Sequence, residues 1–282
     1  GAQMIRLENV SFKYKESNKI LDNISLEVHD GEIISIVGKN GSGKSTIGKL
    51  IAGILRLKEG NIFIDDLDIK KHQKEIRDKV GIVFQNPENQ IIFNSIEDEL
   101  SFALKGLSKQ EIDKRINDAL EKVDMLDFKN KDLYNLSLGQ KQRIMIAEIL
   151  AKNPKYLIFD EPTTMIDSIG KEKIYKIIKN LKQQGYTIIC ITNLADEILL
   201  ADRTLVLEQG KIALEIKREE LVEKAEELRK YEIKLPTILE ILVELQKNGI
   251  QVNAKDYTIS ELVNYLVTAK AGDSKWKMQS HF

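Results

Sequence analysis

The sequence predicts an α/β fold with a mostly parallel sheet, on three observations. Short β-branched apolar runs alternate with helix-length segments between residues 33 and 192. One of those runs, Ile33-Ile34-Ser35-Ile36-Val37, feeds directly into a glycine-rich turn and then into the helical stretch Ile47-Gly48-Lys49-Leu50-Ile51-Ala52. Residues 4–14 and 24–28 instead alternate apolar and polar positions, as antiparallel strands with one wet face do.

The remaining elements follow in order. Tyr14 closes the first strand and is either an ordinary strand aromatic or a platform for a purine ring. Residues 60–65 and 80–84 read as further strands, and the polar stretch Gln85-Asn86-Pro87-Glu88-Asn89-Gln90 leaves the second of them. Residues 87–153 read as a helical insertion between strands of the core. Ser95 and Ser108 each precede an acid by three residues (Asp98, Glu111), which marks two helix starts. Leu136-Ser137-Leu138-Gly139-Gln140 opens another helix, and its serine and glycine at a helix N-terminus form an anion-binding geometry without a lysine. Residues 155–160 form an apolar strand ending in Asp160 and Glu161, followed by a loop to Asp167, a helix over 168–184 and a strand over 186–192 that runs into Asn193.

From residue 218 the character changes to three helices reaching residue 269. Pro236 occupies a first-turn position and Thr258-Ile259-Ser260-Glu261 has capping-box spacing. Ile238, Leu239, Leu242 and Leu245 make one apolar stripe, and Leu262, Val263 and Leu266 another. Such stripes pack on each other to make a small helical domain, or form a dimerisation surface. The expected division is therefore 4–217 for the α/β domain and 218–270 for the helical one. Residues 1–3 and about 271–282 read as a tag or tail.

Composition narrows the function. Forty-three basic against forty-four acidic side chains leave a net charge of −1, which argues against a nucleic-acid-coating protein. Apolar runs stay short of the 18 residues a membrane span requires, and no secretory signal is visible. The single cysteine, Cys190, sits in a buried strand pattern and implies no redox role.

Chemistry concentrates on Gly38-Lys39-Asn40-Gly41-Ser42-Gly43-Lys44-Ser45-Thr46, whose first eight residues have phosphate-loop spacing. The glycines let the main chain curl against phosphate oxygens without Cβ clashes, while backbone N–H groups and a helix dipole converge on one anion. In this pattern Lys44 bridges the β- and γ-phosphates and the Ser45 hydroxyl ligates Mg²⁺. Asp160, at a strand's carboxyl end, suits the Mg²⁺ partner of Ser45, and Glu161 suits a general base or water-orienting group.

In this order, Tyr14, residues 38–45, Gln85, residues 136–140, residues 157–160, Glu161 and Asp167 resemble the ATP-binding-cassette (ABC) family of ATPases over residues 4–215. They correspond to its aromatic loop, Walker A, glutamine loop, signature, Walker B, catalytic glutamate and D-loop. The resemblance implies a core with a mostly parallel sheet, an antiparallel β subdomain and an inserted helical subdomain at about 87–153. It also implies ATP and Mg²⁺ as ligands, with Gln85 sensing Mg²⁺ and the γ-phosphate. Two cassettes would face head to tail, so that Ser137, Leu138, Gly139 and Gln140 cover the ATP of the partner. More narrowly, Phe84-Gln85-Asn86-Pro87-Glu88-Asn89-Gln90 and the C-terminal helices resemble the A-components of energy-coupling factor (ECF) transporters. For those, the implied partners are a second and different ABC ATPase subunit, a transmembrane T-component and a substrate-binding S-component. The cargo would be a vitamin or a transition-metal ion. The chain would then work at the cytoplasmic face of the cell membrane, held there by partners alone and without nucleic acid.

Two positions depart from the family pattern. Asn193 stands where the family has its switch histidine, and Leu138 replaces a signature glycine. Asn can donate a hydrogen bond but carries no positive charge, which predicts slow turnover at this chain's own site, by about 10²-fold or more. The alternative readings are the ATPase subunit of a conventional ABC importer or exporter, a soluble ABC protein outside transport, and a binding-only regulatory cassette.

Overall fold

A computed structural model describes residues 3–272. Its centre is the strand that feeds the glycine-rich turn. Strand β3 (Ile33–Val37) is buried at every position, as are β7 (Tyr156–Asp160) and β8 (Thr187–Thr192). Continuous burial follows from coverage on both faces, which is why these strands do not alternate. They belong to a six-stranded sheet of order β10-β9-β3-β8-β7-β6, completed by β6 (Val80–Val83), β9 (Arg203–Glu208) and β10 (Lys211–Lys217). The pairs β3/β8, β3/β9, β7/β8 and β6/β7 are parallel, and β10 returns antiparallel at the edge. The carboxyl ends of β3, β6, β7 and β8 thus lie side by side, where α/β sheets bind ligands.

A second sheet of order β2-β1-β4-β5 is antiparallel and comprises β1 (Met4–Phe12), β2 (Leu21–His29), β4 (Glu59–Ile64) and β5 (Leu67–Asp68). Strand β1 ends at Phe12, so Tyr14 lies in the following loop and is not a strand residue as expected. Strand β2 begins three residues earlier than its alternation suggests, because Leu21 pairs with Phe12 across a register shift. Helices α1 (Lys44–Ile51) and α2 (Gln73–Lys79) connect the two sheets.

The insertion holds a short 3₁₀ turn (Pro87–Asn89) and helices α3 (Ile96–Ala103), α4 (Lys109–Lys122) and α5 (Leu138–Ala151). Ser95 and Ser108 cap α3 and α4 by accepting the N–H of Asp98 and Glu111 at 3.2 Å each. Helix α5 lies close on β6: a Cβ at Gly81 would stand 1.9 Å from Ile149 Cγ2. Helix α6 (Ser168–Gln183) and the single turn α7 (Ala195–Ile198) complete the α/β part.

Helices α8 (Ala225–Lys230), α9 (Thr237–Lys247) and α10 (Ile259–Gly272) form the C-terminal part. Pro236 is the residue before α9, one position outside the expected first turn. Thr258 caps α10 by accepting the N–H of Glu261 at 3.1 Å, but the Glu261 carboxylate does not reach back to Thr258. It accepts the N–H groups of Lys255 and Asp256 instead, so the expected capping box is half formed. Ile238, Leu239, Leu242 and Leu262 are buried, with Leu245 and Leu266 packed beside them, whereas Val263 is 49% exposed and outside the stripe. These helices share one apolar cluster with Val37, Ile198, Val206 and Ile216 of the α/β part. The expected tag residues Gly1 and Ala2 and most of the expected tail lie outside the described residues.

Candidate nucleotide site

The phosphate loop is built by exclusion. A Cβ on Gly38 would meet Leu207 O at 2.4 Å, and one on Gly43 would meet Ile20 O at 2.8 Å, with Gly43 also at φ +100°. Only glycine fits either place, and the loop is thereby pressed against its neighbours and curled around open space. Gly41, at φ +81°, faces that space, and a Cβ added there would have nothing within 4 Å. The Ser42 carbonyl accepts the N–H of Gly210 at 3.2 Å, which ties the loop to the β9–β10 turn. Lys39 and Asn40 remain exposed at its rim.

Helix α1 starts at Lys44 behind this loop and aims its first side chains at the end of β7. Ser45 Oγ donates to Asp160 Oδ1 at 3.1 Å. Lys44 is buried; burial lowers its pKa, and the charges of Glu161 and Asp160 oppose that shift. Burial raises the Asp160 carboxyl, with the Ser45 hydrogen bond opposing. A buried cation and a buried carboxylate, with half-buried Glu161 beside them, form an electrostatically loaded site with room for a charged ligand. Glu161 itself stands at φ +49°, a left-handed conformation for a residue with a side chain, and its N–H donates to Ile191 O at 2.7 Å.

A cleft of about 710 Å³ opens here, lined by Ser45, Gln85, Asp160 and Glu161 among others. Four sequence-predicted residues from two strand ends and a helix start thus meet in one place. Asn193, following β8, reaches the same region. Its Nδ2 donates to Asn40 Oδ1 at 2.9 Å and to Glu161 Oε1 at 3.3 Å, bridging the phosphate loop and the glutamate. Tyr14 comes to α1 from the other sheet, its hydroxyl 3.3 Å from Thr46 Oγ1 and its ring edge-on to Phe12.

The second group of predicted residues lies elsewhere. Ser137 caps α5 in a full capping box: its Oγ accepts the Gln140 N–H at 3.2 Å, and its own N–H donates to Gln140 Oε1 at 2.9 Å. Leu138, the departure from the family signature, packs against the core of the inserted helices. Gly139 approaches the Cα of Gly170 in α6. Asp167 caps α6 by accepting the Gly170 N–H at 2.8 Å. None of Ser137, Leu138, Gly139, Gln140 or Asp167 lines the cleft.

Two side chains that sequence reading passed over support the site. Gln142 is fully buried and donates through Nε2 to Phe84 O and to Pro162 O, each at 2.8 Å. Glu197 is 1% exposed, and its Oε1 accepts the Thr163 hydroxyl at 2.6 Å, two residues past Glu161. Burial raises the Glu197 carboxyl pKa. A polar residue one helical turn from Leu138, Met145 and Ile146 was the available signal for Gln142; an acid beside Asp196 gave none for Glu197.

The family model of the ABC transporter matches residues 21–164, which include the phosphate loop, Gln85, Asp160, Glu161 and helix α5. The chain belongs to the ABC transporter family. Similar proteins include the energy-coupling factor transporter ATP-binding proteins EcfA1 of Caldanaerobacter subterraneus subsp. tengcongensis and of Ligilactobacillus salivarius. The first is 39% identical over 274 residues, covering 94% of this chain and 99% of the relative. The second is 40% identical over 272 residues, covering 95% and 96%. Among solved structures, cbiO1 from Clostridium perfringens, described as part of the ABC transporter complex cbiONQ, superposes with a TM-score of 0.74 at 33% identity, covering 86% of this chain and 99% of that one. The ATP-binding cassette MJ0796, in a dimeric post-hydrolysis state bound to ADP and Pi, superposes with a TM-score of 0.66 at 32% identity, covering 76% and 98%. As an ABC cassette of the energy-coupling factor type, the chain is a nucleotide-binding ATPase whose hydrolysis is coupled to transport. No helix among its described residues is long and apolar enough to cross a membrane.

Proposed function

We propose that this cassette binds ATP with Mg²⁺ on its phosphate loop and hydrolyses it in a head-to-tail dimer with a second, different cassette. The pair drives an ECF-type importer of a vitamin or a transition-metal ion. The dimer sits at the cytoplasmic face of the cell membrane, held by a transmembrane T-component that works with a substrate-binding S-component. The observation that carries the reading is the division of the candidate residues. Ser45, Gln85, Asp160 and Glu161 converge on one cleft, while Ser137 and Gly139 stand outside it, which supports a role for them at another subunit's nucleotide.

The donors present fit a magnesium ion. The Ser45 hydroxyl and the Asp160 carboxylate are hard oxygen ligands already within 3.1 Å of each other. Among the described residues no cluster of three or more His, Cys, Asp or Glu is arranged for a resident metal. A cation here would share its remaining sites with phosphate oxygens and water, and it would neutralise the charge on the transferred phosphoryl group. The chain's own contribution is positional: Lys44 offsets phosphate charge, Glu161 orients and deprotonates the attacking water, and Gln85 lines the same cleft.

Asn193 favours an asymmetric dimer. It can hold Glu161 and Asn40 together, but its amide adds no positive charge when the reaction needs one, so this Walker A site is the slower of two. Leu138 weakens the site that belongs to the partner to a smaller degree, because Ser137 and Gly139 remain. The test is co-expression of this chain with neighbouring membrane and cassette genes, and mass identification of what it carries into the membrane fraction. A T-component and a second cassette support the reading; a paired permease of a conventional importer refutes it.

A further inference from the structure

We infer that Gln142 is a positioning residue that links the signature helix to the hydrolytic residues of its own chain; the inference rests on the cassette-dimer reading above. Gln142 lies in the second turn of α5, five residues after the serine that caps it. It is wholly buried, and its single amide nitrogen directs both hydrogens to main-chain carbonyls, each at 2.8 Å. Those two carbonyls come from distant parts of the chain. Phe84 immediately precedes Gln85, and Pro162 immediately follows Glu161. One side chain therefore ties together the two segments that leave the neighbouring strands β6 and β7 and line the cleft.

The orientation of this amide is fixed by its partners. Reversed, it would bring Oε1 against two carbonyl oxygens; as placed, Oε1 is buried with no hydrogen-bond partner. Both hydrogens of the amide are thus committed to the two carbonyls, at 2.8 Å each. The consequence is mechanical. Rotation or translation of α5, caused by contact between Ser137 and another subunit's nucleotide, must either carry Phe84 and Pro162 along or break both bonds. The carried residues are next to Gln85 and Glu161. The link thus joins the composite site this chain completes for its partner to the composite site it owns.

The experiment uses the assembled complex of this chain with its partner cassette and membrane subunits, comparing wild type with Gln142→Met, Gln142→Glu and Gln142→Asn. Nucleotide sites are counted by stoichiometric ATP binding without Mg²⁺, and turnover is expressed per bound site. The expected result is a KM for ATP within about twofold of wild type, since the phosphate loop is untouched. Turnover per site falls about 10- to 100-fold for Met and Glu, the size of a misplaced catalytic group, and the Hill coefficient falls towards 1. Asn, which keeps a donor but is one methylene shorter, recovers part of the loss. Met keeps the side-chain length without hydrogen bonds, and Glu keeps the shape but offers at most one donor, when protonated, for two carbonyls, so at least one of them reports if another fails to fold. Wild-type turnover per site in Met or Glu, or a raised KM with intact turnover, overturns the inference. Ser137→Ala in the same complex separates the two layers. If Ser137→Ala is inactive while the Gln142 variants turn over normally, the link alone is wrong. If Ser137→Ala is fully active, the dimer reading fails and takes the link with it.

Discussion

Replacing Asn193 by His asks directly whether charge is what this site lacks. The amide of Asn193 lies 3.3 Å from Glu161 Oε1 and 2.9 Å from Asn40 Oδ1, so a side chain at this position already reaches the glutamate and the phosphate loop together. A neutral hydrogen bond supplies about 1 kcal/mol. Across 3.3 Å, a unit positive charge interacts with a negative one by about 1.3 kcal/mol in bulk water and about 5 kcal/mol at an effective dielectric of about 20. A hundredfold difference in rate corresponds to about 2.7 kcal/mol, which lies inside the ionic range and beyond the neutral bond. Asn193→His should therefore raise turnover by about 10²-fold. The gain should be greatest near pH 6 and shrink by pH 8, because an ordinary imidazole titrates near 6.5. The assay is steady-state phosphate release by the assembled complex, with the partner cassette's catalytic glutamate changed to glutamine so that this site alone reports. Unchanged turnover across that pH range would falsify the slow-site argument.

Three further outcomes are expected. A Cβ on Gly139 would meet Ile166 Cγ2 at 3.4 Å and Gly170 Cα at 3.5 Å, ordinary contacts. Gly139→Ala should therefore leave the melting temperature within about 2 °C while lowering turnover about 10- to 100-fold; a loss of stability instead would locate the defect in this chain's own packing. Gly81→Ala would place Cβ 1.9 Å from Ile149 Cγ2, so it should destabilise the protein by about 3 kcal/mol, read by denaturant titration, and wild-type stability would contradict the close seating of α5 on β6. Burial, with Glu99 nearby, pushes the Glu148 carboxyl up to about 7 from an ordinary 4.5, opposed by Lys152. A raised carboxyl contributes stability that is complete below about 4.5 and is lost as pH rises through 7. Between pH 5 and 8 the wild type should lose about 2–3 kcal/mol that Glu148→Gln does not, and a pH-independent difference between the two would contradict this burial.

How much of this was readable beforehand depends on whether a residue's role is local. The phosphate loop was legible because its glycines, lysine and serine act within one turn, and spacing alone records that. Asp160, Glu161 and Gln85 were legible because each lies at the end of a buried strand, and a parallel sheet brings such ends together. The caps at Ser95, Ser108 and Ser137 are likewise short-range, and all three form. Long-range contacts left no trace. Nothing in the sequence pairs Gln142 with Phe84 and Pro162, or Asn193 with Asn40, across 58, 20 and 153 positions. The Glu261 carboxylate went to Lys255 and Asp256, because two open N–H groups in the preceding loop competed for it better than one at the cap. Tyr14 fell outside its strand for a similar reason: Ile20 N donates to Phe12 O, closing the ladder before the aromatic.

The apolar cluster under the C-terminal helices bears on how this motor can be taken apart. Val37 is the last residue of β3 before the phosphate loop, and together with Val206 and Ile216 it is roofed by side chains such as Leu228, Leu239 and Leu242. A chain cut after residue 217 would carry a greasy wound directly behind its nucleotide grip. A force applied to helices α8 and α9 would therefore reach the base of that grip through the side chains they share with it.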